Sequence, residues 1–129
     1  MSVKPGVAWL MVVEAVSLAV MSTLHLTGRL SDGSRPFQPS AAGIAEAIIA
    51  VVLFGAAMAA LFAPERARPT ALAATGFAIA GFILGLTFTA RGGNVADVAY
   101  HASVLPILVV TMALAARTGS NSSRMALRE

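Results

Sequence analysis

Four long apolar runs separated by short polar segments organise the chain. The first covers residues 7–26 and follows Lys4-Pro5-Gly6. The second, 41–62, comes after the turn-rich stretch Ser31-Asp32-Gly33-Ser34-Arg35-Pro36-Phe37-Gln38-Pro39, with Ser40 as the expected N-cap. The third, 70–89, follows Pro64-Glu65-Arg66-Ala67-Arg68-Pro69, and the fourth, 98–116, follows Arg91-Gly92-Gly93-Asn94. A helix crosses a hydrocarbon core in about 20 mostly apolar residues, so each run predicts one transmembrane span. The fold class expected is all-α, a polytopic four-helix bundle forming a single domain over 1–116, with 117–129 a polar, disordered cytoplasmic tail. A cleaved signal peptide is the competing reading of the first run. Its length and the Glu14 in its middle favour a retained helix.

Composition narrows the class further. Of 129 residues, 57% are hydrophobic and 12% charged, and the mean hydropathy is +0.81. Four spans leave no room for a sizeable soluble domain. The absence of cysteine excludes disulfides, thiolate metal sites and covalent haem attachment. A net charge of +3 with a pI near 10.7 would suit nucleic acid, but the basic residues are scattered over loops and termini instead of forming a stripe. They read as topology signals. Lys4, Arg66, Arg68, Arg117, Arg124 and Arg128 fall on one side of a four-span chain, against Arg29, Arg35 and Arg91 on the other. The positive-inside rule then puts both termini in the cytoplasm of a multi-pass protein of the inner (plasma) membrane. Trp9 and Phe62 would mark the inner interface, and Phe37 and Tyr100 the outer one. The expected partners are the lipid bilayer and either further copies of the chain or a partner membrane subunit.

Glycine spacing carries the packing signal. Gly81 and Gly85 form a GxxxG pattern in the third run, which predicts close helix approach and a central place for that helix. In the fourth run Pro106 cannot donate to the carbonyl of Ala102, so a kink is expected one turn beyond His101.

Ionisable groups within spans are costly unless paired, and so become site candidates. Here they are Glu14, His25, Glu46 and His101. At about 1.5 Å per residue, the last three fall at a similar depth in the outer leaflet, with the loop from Leu30 to Pro39 placed over them as a cap. Glu14 shares a face with His25 but lies about 16 Å deeper. Asp97 and His101 form an i, i+4 pair, so Asp97 could hold the imidazole in one tautomer, with Tyr100 alongside. The candidate ligand or ion-binding set is therefore Glu14, His25, Glu46, Tyr100 and His101. Within it His25, Glu46 and His101 form a metal set, with Asp97, Arg29 and Arg91 supporting it.

Three functional readings follow, and none assigns a catalytic residue. In the first, His25 and His101 ligate a haem, with Arg29 and Arg91 at its propionates, or join Glu46 around a metal ion. The second is proton-coupled transport through Glu14. Ala8, Trp9 and Val12-Val13-Glu14 resemble the first helix of the small multidrug resistance transporters, which implies a proton and cation site at Glu14 alone. The long first loop with its prolines, the third helix and the further polar residues Glu46 and His101 depart from that family, and membership is rejected. The third reading, placed first, is an interaction or accessory subunit whose polar groups bond between helices, with Glu14 reaching Ser17, Ser22, Thr87 or Thr89. The strings Ala42-Gly43-Ile44-Ala45-Glu46-Ala47, Thr89-Ala90-Arg91-Gly92-Gly93 and Ala99-Tyr100-His101 resemble small four-span membrane proteins of high-GC bacteria, an origin that the arginine-rich, alanine-rich composition also resembles. That resemblance implies a fold and no activity. Phosphate-binding Gly loops, nucleophile elbows, zinc-protease helices and heptad seams with alternating charges are absent from the sequence.

Overall fold

The computed structural model describes residues 5–117, so Lys4, Arg124, Arg128 and the expected tail beyond Arg117 lie outside the described residues. Four helices follow one another: α1 (Pro5–Leu26), α2 (Pro39–Phe62), α3 (Ala67–Gly92) and α4 (Val95–Arg117). Each is long and apolar enough to cross a membrane, and the chain is a multi-pass four-helix bundle.

Local chemistry sets the ends. Helix α2 starts at Pro39 with Gln38 in the cap position, so Ser40 falls inside the helix and not at its cap. Proline suits the first helical position because its missing N–H would have no intrahelical partner there and its φ is preset. Gly28, at φ 74°, turns the chain away after α1. Asn94 Oδ1 accepts from the Asp97 amide at 2.8 Å, which caps α4 and starts it before the apolar run proper. Helix α4 then continues unbroken through Pro106, whose ring is exposed.

The helices form a ring in which α2 packs on α1 and α3, and α4 on α3 and α1. The α1–α2 contact is the most extensive. Its closeness depends on Gly43, where an added Cβ would lie 2.9 Å from Leu26 Cγ and 3.1 Å from the Ser22 carbonyl oxygen. Ser22 Oγ donates across the same contact to the Gly43 carbonyl at 2.7 Å. The expected central role of the third helix is corrected, because α1 buries the largest share of its span and α3 and α4 the smallest. The GxxxG pair serves packing nonetheless: Gly81 admits Ile49 of α2, and Gly85 admits the imidazole of His101 of α4.

Inward positions recur at alternating steps of three and four, as in Asp97, His101, Val104, Leu108, Thr111 and Ala115 of α4. Such spacing is the seam of left-handed bundles. The interior holds alanines around a few large side chains, Met11, Leu18, Leu53, Phe82 and Leu108, while Val13, Val51, Phe54, Ile83 and Leu84 face outward. An outer face this apolar suits hydrocarbon, where helices satisfy their own backbone groups.

Candidate functional site

At the end of the bundle that carries the first and third loops, four ionisable side chains from three helices meet: His25 of α1, Glu46 of α2, and Asp97 and His101 of α4. All four are buried. Nε2 of His25 lies 3.3 Å from Asp97 Oδ1 and 3.6 Å from Glu46 Oε1. On its other side His25 Nδ1 is 3.3 Å from the carbonyl oxygen of Leu30. A carbonyl only accepts, so Nδ1 carries the proton of that bond. His101 is held similarly, its Nδ1 lying 3.0 Å from the Asp97 carbonyl and 3.2 Å from Asp97 Oδ1. Its proton therefore also sits on Nδ1, and Nε2 is turned toward α3, where only the missing Cβ of Gly85 leaves room for it.

Carboxylate oxygens in the cluster are in excess of donors. Both oxygens of Glu46 and Oδ2 of Asp97 are buried with no hydrogen-bond partner among the described residues. No lysine or arginine occurs between Arg35 and Arg66 or between Arg91 and Arg117, so α2 and the interior of α4 supply no fixed positive charge. One donor atom each from His25, Glu46 and Asp97 lies within 4.8 Å of the others, a spacing that can close on a cation.

The first loop covers the cluster. Leu30 supplies the carbonyl to His25, and Phe37 is buried with its ring edge-on to the His25 imidazole at 5.8 Å. The loop is pinned by the Ser34 amide, which donates to the Gly92 carbonyl at 2.8 Å. A side chain at Gly92 would strike the Ser34 carbonyl, so this position requires glycine.

Several sequence expectations change. Asp97, expected only to orient His101, lies at the centre and touches both imidazoles; the metal-competent group is His25, Glu46 and Asp97 in place of His25, Glu46 and His101. Tyr100 is outside the cluster. Ser17 Oγ gives its one proton to the Glu14 carbonyl at 2.8 Å, so the Tyr100 hydroxyl donates to Ser17 Oγ across 3.0 Å. Tyr100 and Phe37 thus face the protein interior and form no aromatic belt, whereas Trp9 and Phe62 are exposed as expected of one. Arg29, in the first loop, and Arg91, in the last turn of α3, are exposed and bond to none of the cluster residues; Arg91 borders a shallow polar depression with Asp32, Ser34 and Asn94. Glu14 stands apart in the core, where Thr111 Oγ1 donates to its Oε1 at 2.5 Å. The partner is Thr111 of α4, not Ser17, Ser22, Thr87 or Thr89. Its position on the inward seam three residues after Leu108 was the available signal.

No known protein family, curated protein or solved structure matches the chain.

Proposed function

We propose that the chain is a plasma-membrane protein, both termini cytoplasmic, that binds one divalent metal ion at the outer end of its bundle. His25 Nε2, Glu46 and Asp97 are the ligands. The observation that carries this reading is the environment of His25 Nε2: with the Nδ1 proton committed to Leu30, Nε2 presents a lone pair to two carboxylate oxygens at 3.3 and 3.6 Å. Three such atoms at that spacing are held together either by a proton on one of them or by a metal ion among them, and the second is the reading proposed. Tetrahedral zinc at about 2.0–2.2 Å from each donor would hold its ligands about 3.3–3.6 Å apart, which matches both distances. A divalent ion would also neutralise two carboxylates whose basic neighbours are histidines alone, with no lysine or arginine beside them, and engage the unpartnered oxygens of Glu46. One imidazole with two carboxylates suits zinc, iron(II) or manganese(II). His101 acts through Asp97, as hydrogen-bonded partners of metal-ligating carboxylates commonly do.

The haem alternative finds less support. Asp97 Oδ1 lies 3.3 Å from His25 Nε2 and 3.2 Å from His101 Nδ1, filling the space that a macrocycle between two axial imidazoles would need. The transport alternative rests on Glu14, whose Oε1 is bonded to Thr111.

Elemental analysis of detergent-purified protein, reloaded with zinc, iron(II) or manganese(II), tests the proposal. The expected result is about one equivalent per chain, lost in His25→Ala and Asp97→Asn and retained in Glu14→Gln. A chain that takes up none of the three ions would leave the cluster as a hydrogen-bonded packing device, which is the accessory-subunit reading.

A further inference from the structure

A second site lies beside the first, between α2 and α3. A cavity of about 370 Å³ is walled by Ala41, Ala42, Ala45 and Ile49 of α2 and by Leu84 and Phe88 of α3, and it ends on Glu46 and His101. Ala45, Leu84 and Phe88 are also exposed on the outer face of the bundle, so the cavity opens sideways toward lipid. It is thus apolar along its length and polar at one end, as sites for small amphiphiles are.

The polar end has a defined hydrogen-bonding character. His101 Nδ1 donates to the Asp97 carbonyl, so in the singly protonated ring Nε2 is an acceptor, and it has no hydrogen-bond partner among the described residues. Glu46, buried at 3% exposure, borders the same end, and neither of its carboxyl oxygens has a hydrogen-bond partner among the described residues. A head group there meets a ring nitrogen and a carboxyl group, and a hydroxyl, which both donates and accepts, can bond to either. Phe82, whose ring centroid is 4.9 Å from that of His101, adds a flat apolar surface beside the head.

From this geometry we infer that the cavity binds a membrane-dissolved molecule with a hydroxyl head, an alkyl phenol or alcohol, whose O–H donates to His101 Nε2 while its tail lies between α2 and α3. A carbonyl or ether head accepts but does not donate, and so cannot bond to Nε2 of the ring protonated at Nδ1. The site needs no metal, since Nε2 of His101 is not one of the proposed ligand atoms. Metal uptake and amphiphile binding can therefore fail separately.

The test uses the full chain in lipid nanodiscs with ¹⁵N-labelled histidine, titrated with para-hexylphenol and with its methyl ether, para-hexylanisole. The phenol is expected to shift the His101 Nε2 resonance, assigned by its loss in His101→Gln. The anisole, lacking the donor, is expected to bind about tenfold more weakly, the worth of one hydrogen bond. Ala45→Phe fills the cavity from α2 without touching His25 or Asp97, and is expected to abolish the shift while leaving metal content as in the parent chain. Equal binding of phenol and anisole would overturn the hydroxyl requirement and mark the cavity as a seat for any acyl chain. No shift with either compound, or a shift that survives Ala45→Phe, would overturn the site.

Discussion

At the scale of single residues, the site depends on atoms that are missing as much as on those present. A methyl group at Gly85 would sit 2.9 Å from His101 Nε2. Gly85→Ala is therefore expected to cost about 1–3 kcal/mol through overpacking and to weaken phenol binding, as read by denaturant unfolding in detergent and by the same titration. Thr111→Val leaves Glu14 with neither carboxylate oxygen bonded, because Oε2 already lacks a partner. Its expected cost is about 1 kcal/mol, the scale of hydrogen bonds between membrane helices, and Thr111→Ser should restore most of it in the same unfolding measurement. His25, Glu46 and His101 were legible in the sequence because an ionisable group within an apolar run has few ways to be satisfied. Asp97 was misjudged because it stands one residue before the run at 98–116, whereas the Asn94 cap draws it into the helix. Tyr100 has an amphipathic side chain that suits an interface or a hydrogen-bonded interior equally, and its partner Ser17 is 83 residues away.

Between helices, hydropathy identified all four spans but could not say which way they face. A membrane helix is apolar on both sides, so the inward stripe shows in side-chain size and polarity instead. In α2 it runs Gly43, Glu46, Ile49, Ala50, Leu53, Ala56, Ala57 and Ala60, a series of small or polar residues with two large anchors, Ile49 and Leu53. Glycine alone is an ambiguous marker, as a paired substitution should demonstrate. Gly43→Val places carbon against Leu26, His25 and Ser22 of α1, while Gly76 has nothing within 4 Å of an added Cβ. The first is expected to lower the unfolding midpoint clearly and the second to leave it unchanged, in thermal scans followed by circular dichroism. The first loop is a further case in which local signals sufficed for position but not for detail. Its turn residues and its place above the cluster were readable, but its anchoring through Ser34 and Gly92 joins two loops distant in sequence.

For the whole molecule, the orientation proposed from the arginines yields a direct expectation, which the cysteine-free sequence makes easy to check. Asp32→Cys should react with a membrane-impermeant maleimide on intact cells, and Arg66→Cys only after lysis; the opposite pattern would invert the bundle. The site itself is divided between two hairpins, His25 and Glu46 from α1–α2 and Asp97 and His101 from α3–α4. That division has a consequence in time. Synthesis proceeds from the N-terminus, so α1 and α2 reach the bilayer while Asp97 is still to be made. During that interval His25 lacks its aspartate and Glu46 is covered by α1 alone, without α3 and α4 to close the bundle around it, which is costly for an ionisable group in hydrocarbon. Arrival of α4 ends that state. The polar centre thus seals a finished insertion, and a chain that stops short of Val95 has no means of closing it.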